Sequence, residues 1–523
     1  MRLLWLGALT AAAAGGLVQC GEGRPARAGP SRGKEPPAVS PLGGSGKPHS
    51  DRGYVLFSPL LSTTTYLIDR QGRAVHTWES ECPPGATQYL LGNGRLLRCG
   101  RHLGAQAFSG GGEGGRIQEL AWDGAVVWEF VLASADRRQH HDIEPLPNGN
   151  VLLLAWEAKS REEAVRAGRK PFLVGDAGLW FECVLEVKPV RPRGGTIVWE
   201  WHMWDHLVQD HDATLANYGA VAEHPELIDI NGGRGAGSVT EELIERLRAL
   251  GYLARGAAAP DVEADFVHAN SVAYNPRLDQ VALSVNQYNE VWIIDHSTTG
   301  AEATGHAGGR AGRGGDLLYR WGNPRSYGRG AAADQLLSGQ HDARWIPPGY
   351  PGAGHLTVFN NGGGRPGGDH SSVLELELPV GSDGRYAIGK NRRFGPDRPF
   401  WEYVAPRPAS FFADFISGAE RLPSGNTLIC AGPQGRIFEV TPEGATVWEY
   451  SNPYRGDAPN PHGDPPYSVF WAAYIPVDHP AVAGRSLAPL DPPPPQRVSG
   501  RPGRLPARVY PTPIRGSPRH RRS

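Results

Sequence analysis

The chain has 523 residues, a formal net charge of −1 and 40% hydrophobic residues. That length supports a large core or several domains, and the near-neutral balance gives no reason to expect a nucleic-acid partner. With 70 glycines, 47 prolines and 15 tryptophans against 2 methionines, the composition favours short strands joined by tight turns, an all-β protein.

The chain opens on MRLLWLGALTAAAAGGLVQC. Arg2, an apolar run and then small residues read as a secretory signal over residues 1–20. The run is too short and too rich in Ala and Gly to favour a spanning helix. Leu17-Val18-Gln19-Cys20 loosely matches a bacterial lipobox, which makes Cys20 a candidate lipid anchor, although Gln19 stands where a small residue is usual. Export carries an expectation of the periplasm or cell envelope. In that oxidising setting Cys82, Cys99, Cys183 and Cys430 are candidates for pairing, Cys82 with Cys99 first, against the alternative of buried free thiols. Residues 21–51, rich in Gly, Pro, Ser and Arg, read as a flexible linker.

From residue 52 to about 480 the chain repeats itself. One signature is a strand, a turn and a second apolar run: ATQYLLGNGRLL from Ala86, HHDIEPLPNGNVLLL from His140, HANSVAYNPRLDQVALSV from His268, QHDARW from Gln340 and ISGAERLPSGNTLIC from Ile416. A second signature closes each unit with a hairpin ending in Val-Trp-Glu-aromatic: GRIQELAWDGAVVWEF (Gly115 to Phe130), VLEVKPVRPRGGTIVWEW (Val184 to Trp201) and GRIFEVTPEGATVWEY (Gly435 to Tyr450). Together they give four strands per unit, the pattern of a propeller blade. Five blades can be counted. The sixth is expected from the ends, with Gly53 to Ser80 supplying three strands and SVFWAAYIP (Ser468 to Pro476) the missing innermost one. The fold expected is a six-bladed β-propeller closed by its two termini.

The interval between His141 and His268 is too long for one blade, and the excess predicts helical inserts. Ser238-Val239-Thr240-Glu241 reads as a capping box before Leu243, Leu247 and Leu250, with Gly251 as the stop. Glu157 to Arg169 is a second short-helix candidate. The glycine run SGGGEGG (Ser109 to Gly115) lacks dinucleotide-binding spacing and reads as a loop. His202 and His206 have i,i+4 spacing with Asp205, Asp210 and His211 nearby, but no further ligand completes a zinc set, and no metal is expected. The Trp-Glu-aromatic pairs read as packing between blades. Residues 481–523, with DPPPPQ and RHRRS, read as a disordered tail.

The innermost strand of each blade lines the axial channel, so equivalent positions point at one cavity. His141, His268 and His341 meet that condition, and Asn270 lies two residues after His268 on the same side of its strand. His140 alternates to the opposite face and reads as a support. Neutral imidazole is a nucleophile, and protonated imidazole is a donor. Both suit transfer of an anionic group whose charge sits on peripheral oxygens.

From Gly53 to Pro476 the chain resembles the bacterial arylsulfate sulfotransferases, most densely at HHDIEPLPNGN, DFVHANSVAYNP, EVWIIDHS, YRWGNP, QHDARWIPPG and ISGAERLPSGNTLI. The resemblance implies a periplasmic six-bladed propeller that moves a sulfuryl group from a phenolic sulfate ester to a phenol acceptor. It implies a sulfohistidine intermediate and no 3′-phosphoadenylyl sulfate. The absence of a GxxxxGK[ST] motif fits a donor that is not a nucleotide, and no cofactor is expected. By motif, His341 matches the nucleophile, His268 and Asn270 the sulfuryl-binding and proton-handling pair, and His141 a further active-site histidine. One departure stands out. Family members place an arginine in the strand after the H-x-N motif, and here that strand reads LSVNQYNEVW, with Asn286 and Gln287 near the expected place. Arg344 and Arg421 are candidate substitutes from other blades. The alternative reading is a non-catalytic envelope propeller that binds a sulfated or phenolic ligand or a protein.

Overall fold

The computed structural model describes residues 50–102, 107–253, 256–456 and 467–494. The expected signal with Cys20, the linker up to residue 49 and the tail beyond residue 494 lie outside the described residues.

Six four-stranded antiparallel sheets form a ring, a six-bladed β-propeller. The innermost strands are Pro84–Leu90, Arg137–Pro145, Ala269–Asn275, His341–Trp345, Gly418–Arg421 and Val469–Pro476. They belong to the first to sixth blades in that order. The sixth blade joins the two ends of the chain as expected: Val469–Pro476 pairs with Gly53–Pro59, setting Tyr474 opposite Val55 and Ala473 opposite Leu56. Closure pairs the inner edge of Gly53–Pro59, which an open ring would leave bare.

The core lies between blades rather than within them. Leu152 and Leu154 of the second blade meet Val272, Val281 and Leu283 of the third. Cys99 and Ile117 of the first blade meet Leu153 and Leu185 of the second. Both faces of a blade are therefore covered. This is why strands such as VLLLAW read as continuous apolar runs, where a sheet with one wet face would alternate.

The recurring tryptophan of the outermost strand latches each blade to the next. Trp128 Nε1 donates to Gly194 O at 2.8 Å, Trp199 to Thr298 Oγ1 at 3.1 Å, Trp321 to Pro396 O at 2.7 Å, Trp401 to Pro442 O at 2.7 Å and Trp448 to Arg70 O at 2.7 Å. At the closing interface His76 Nε2 meets Trp122 O at 2.8 Å while Trp78 packs edge-on against the Trp122 ring. The outer-strand tryptophan thus joins the blades: five indole N–H groups find an acceptor on the next blade, whereas Trp78 Nε1 has no hydrogen-bond partner among the described residues and joins by packing alone.

A second recurring device shapes the channel. In or just before the inner strands the backbone turns through the left-handed region at Ala86 (φ 131°), His141 (φ 49°), His268 (φ 53°), Asp342 (φ 55°) and Ile416 (φ 44°). Strand pairing slips there, between Gln139 and Ile143 and between His341 and Arg344. Such bulges bend a strand and re-aim its side chains, and non-glycine residues hold this conformation only under tertiary constraint.

The inserts form where expected, with two differences. The helix Glu241–Ala249 is capped by Thr240, whose side chain accepts from Leu243 N–H at 3.3 Å, so the cap is Thr240 and not Ser238. The other helix, Arg161–Arg166, starts later than expected because Val151–Lys159 continues as a strand; Ser160 and Glu163 form its capping box.

All four cysteines among the described residues are free and buried. Cys82 and Cys99 do not pair. The Cys82 sulfur lies beside Arg98 and Gly100, whereas Cys99, between them in the strand, points to the other face and accepts from Thr87 N–H at 3.3 Å. Packing also continues past residue 480, where the tail was expected to begin: Ala481 and Val482 are buried, and Leu490 N–H donates to Ala74 O at 2.8 Å.

Candidate active site

A cavity of about 160 Å³ opens at the channel among His268, His341, Asn286, Gln287, Gly339 and Phe415, and the insert closes it with Arg234, Leu247, Tyr252, Val262 and Asp265. The volume resembles that of the ~150 Å³ cavity that accommodates benzene in an engineered protein core.

His341 is the most constrained of the three histidines. Its Nδ1 faces Asn361 Oδ1 at 2.8 Å and Gly339 O at 3.2 Å, both acceptors. The Asn361 amide is fixed, because its Nδ2 donates to Ala413 O at 2.7 Å and Ile416 O at 2.9 Å. Nδ1 must therefore carry the proton, and Nε2 keeps its lone pair. That Nε2 is buried and has no hydrogen-bond partner among the described residues. Burial pulls the His341 pKa down to about 3, the Asn361 bond opposes the shift and the neighbouring His268 adds to it. The ring is neutral at physiological pH.

His268 has a carboxylate behind it. Its Nδ1 makes a short hydrogen bond to Asp265 Oδ2, and Trp156 Nε1 donates to the other carboxylate oxygen at 3.1 Å. Burial alone would raise the Asp265 pKa; the charge and hydrogen bond of His268 outweigh it and hold the carboxyl below its ordinary value. Asp265 is thus an acceptor, His268 donates from Nδ1, and Nε2 faces the cavity. A buried carboxylate orienting an imidazole is the arrangement of a general acid–base pair.

Tyr252 bridges the remaining pair. Its hydroxyl lies 2.6 Å from His141 Nε2 and 3.2 Å from His268 Nε2. The His141 and His268 rings meet edge to face at 4.7 Å. His141 Nδ1 lies 2.7 Å from His140 Nδ1, and His140 Nε2 reaches Glu182 Oε2 at 2.9 Å. The two adjacent histidines were expected on opposite faces, but the left-handed backbone at His141 breaks strand alternation and lets the rings touch. Burial lowers both pKa values, that of His140 to about 3.

Of the four residues singled out from sequence, His268 and His341 line the cavity. His141 reaches it through Tyr252. Asn270 stands behind the wall: its Nδ2 donates at 2.8 Å to the carbonyl of Gln340, the residue before His341, and its Oδ1 has no partner among the described residues. Neither arginine proposed from other blades reaches the cavity wall. Arg344 is bound to Asp342 at 2.7 Å and Tyr89 OH at 2.9 Å and stacks on Trp471, and Arg421 is paired with Glu375. Arg234 of the insert lines the cavity instead. One nitrogen, Nη1, donates to Val262 O at 2.7 Å, and the other two make no hydrogen bond among the described residues.

Sequence reasoning missed Arg234, Tyr252, Asp265 and Asn361. A signal was present for Tyr252 in the glycine run. A Cβ on Gly111 would sit 2.3 Å from the Tyr252 ring, and one on Gly112 (φ 77°) 2.3 Å from the His141 ring. The run leaves room for the two rings. His202 and His206 do not share a ligand set: His202 ends a strand and bonds Glu157 at 3.1 Å, while His206 turns to Asp316 at 2.8 Å and Ala303 O at 2.9 Å.

Solved structures that resemble the chain are distant. A protein of unknown function from Bacteroides caccae is 11% identical, with a TM-score of 0.40 over 81% of this chain and 99% of that one. A streptogramin B lyase is 13% identical, with a TM-score of 0.34 over 79% and 84%. Virginiamycin B lyase from Staphylococcus aureus is 11% identical, with a TM-score of 0.35 over 79% and 85%. No curated protein sequence matches the chain. The arylsulfotransferase (ASST) family model matches residues 60–450. That span takes in the first five blades, the two outer strands of the sixth and all the histidines described above, and the chain belongs to the arylsulfotransferase family.

Proposed function

We propose that this chain transfers a sulfuryl group from a phenolic sulfate ester to a phenol through a covalent sulfohistidine at His341. The observation that carries the reading is the buried, unpartnered Nε2 of His341, whose proton is assigned to Nδ1 by Asn361 and Gly339. In the first half-reaction Nε2 attacks sulfur. The N–S bond forms as the bond from sulfur to the aryl oxygen breaks, and the electron pair leaves on the phenolate. His268, protonated at Nε2 and oriented by Asp265, gives the phenolate its proton. In the second half an acceptor phenol returns a proton to His268 Nε2, its oxygen takes the sulfur, and the N–S bond breaks. Arg234, with the amides of Asn286 and Gln287, supplies donors to the sulfuryl oxygens where charge gathers. Asn270 positions His341 through the Gln340 carbonyl, and His141 acts through Tyr252. No cofactor enters the scheme. Residues 1–20, which read as a secretory signal, support export to the periplasm or envelope, either as a soluble protein or with Cys20 as a candidate lipid anchor.

The test is turnover of 4-nitrophenyl sulfate with phenol as acceptor. Nitrophenol release should depend on phenol and yield phenyl sulfate, and His341→Ala should lower the rate by about 10³-fold or more, as loss of a catalytic nucleophile does. Continued turnover without any acceptor, beyond the equivalents the enzyme itself takes up, would mean hydrolysis. Donor binding without release would mean a binding propeller.

A further inference from the structure

Tyr252 is the one phenol among the described residues that line the cavity. Its ring is 4% exposed and its position is fixed on several sides. Gly251 turns through φ 72°, Arg101 Nη2 donates to the Gly251 carbonyl at 2.6 Å, and Gly111 presses against the ring with no room for a side chain. The hydroxyl points at two imidazole nitrogens, His141 Nε2 and His268 Nε2. Asp265 makes His268 donate from Nδ1, so once Nε2 has given its proton to the departing phenolate it has a lone pair ready for the phenol proton. Burial, reinforced by Asp265, raises the tyrosine pKa. The group therefore stays a neutral phenol that loses its proton only to a neighbouring base.

A phenol hydrogen-bonded to the base and sharing the cavity with the nucleophile has the chemistry of the acceptor. We propose that Tyr252 is itself an acceptor, so that without an outside phenol the sulfuryl group passes from His341 to Tyr252. The inference rests on the sulfohistidine reading. In the step, the N–S bond to His341 Nε2 breaks and a bond forms between sulfur and the Tyr252 hydroxyl oxygen. The phenol proton moves to His268 Nε2, which gave its own proton to the departing phenolate of the donor. The product, a tyrosine O-sulfate, is an aryl sulfate ester of the same class as the donor. The reverse step regenerates sulfohistidine, and Tyr252 serves as a store of the sulfuryl group between donor and acceptor.

The experiment is tandem mass spectrometry of the full chain after incubation with 4-nitrophenyl sulfate and no acceptor. The expected result is one added SO₃ group on the peptide that holds Tyr252, which disappears when phenol is added and reappears as phenyl sulfate. In Tyr252→Phe, which keeps the ring that Gly111 accommodates, the label is confined to His341. If the wild-type chain transfers sulfate to added phenol yet never carries it on Tyr252, the store is refuted and the sulfohistidine reading stands. A chain that releases no nitrophenol with any acceptor refutes both.

Discussion

Asn361 Oδ1 lies 2.8 Å from His341 Nδ1, and the amide cannot flip because its nitrogen is held by the Ala413 and Ile416 carbonyls. A neutral side chain thereby sets the tautomer of a buried imidazole. Asn361→Ala removes that control while leaving the Gly339 carbonyl as a weaker partner. The expected effect is a fall in kcat of about 10²-fold, smaller than the ~10⁴-fold that loss of tautomer control costs a serine protease triad. The measurement is kcat and KM for 4-nitrophenyl sulfate; KM should change little, because Asn361 acts through His341. A rise in KM at constant kcat would contradict this role.

Arg234 is expected to govern donor affinity. Losing a hydrogen bond to a charged group costs about 1.5–3 kcal/mol, or roughly 10–100-fold. Arg234→Ala should weaken donor binding by that factor, and Arg234→Lys should recover part of it, since a point charge remains but the planar fork is gone. Arg344→Lys, altering an arginine already bound to Asp342 and Tyr89, should leave donor affinity within a few-fold of wild type. Competition by inorganic sulfate reads the same site. Equal inhibition constants for wild type and Arg234→Ala would remove Arg234 from it.

The histidines also make the fold acid-sensitive. Burial holds His140 and His341 at about 3 and His141 below the ordinary imidazole value of 6.5. As the pH falls below 6.5, each ring takes up a proton in the unfolded chain but not in the folded one. Stability therefore declines from 6.5 toward about 3, by at most about 1.4 kcal/mol per ring per pH unit. His202 and His296, raised by partner carboxylates, oppose the trend, since the stability they add is fully present below 6.5 and is lost at higher pH. A difference experiment isolates one ring: between about pH 7 and pH 5, urea denaturation should cost wild type more stability than His341→Gln. Parallel pH profiles would contradict a neutral buried His341.

The legible part of this molecule is the part that repeats. His141, His268 and His341 head equivalent inner strands, so a count of blades was enough to bring them to one channel. The closing strand Val469–Pro476 was visible because Gly53–Pro59 begins a blade one strand short. The illegible part comes from the insert after Trp201. Arg234, Tyr252 and Asp265 obey no period, and their position depends on how a loop folds back over the channel mouth. The left-handed backbone at His141 was hidden too, because alternation along a strand assumes extended residues throughout. Asn361 follows an ordinary strand, Leu356–Asn360, and only the closeness of the fifth blade's carbonyls gives its amide a fixed direction.

The central claim is that His341 becomes covalently bound to the sulfuryl group. The most direct measurement is rapid quenching of the chain with excess 4-nitrophenyl sulfate, followed by peptide mapping under alkaline conditions that preserve an N–S bond. The expected result is a first burst of nitrophenol equal to the enzyme present, with an SO₃ group on His341 at the shortest times; filling of the Tyr252 store adds at most one further equivalent later. A burst with the first label on any other residue, or steady turnover with His341 unmodified at every time, would contradict it.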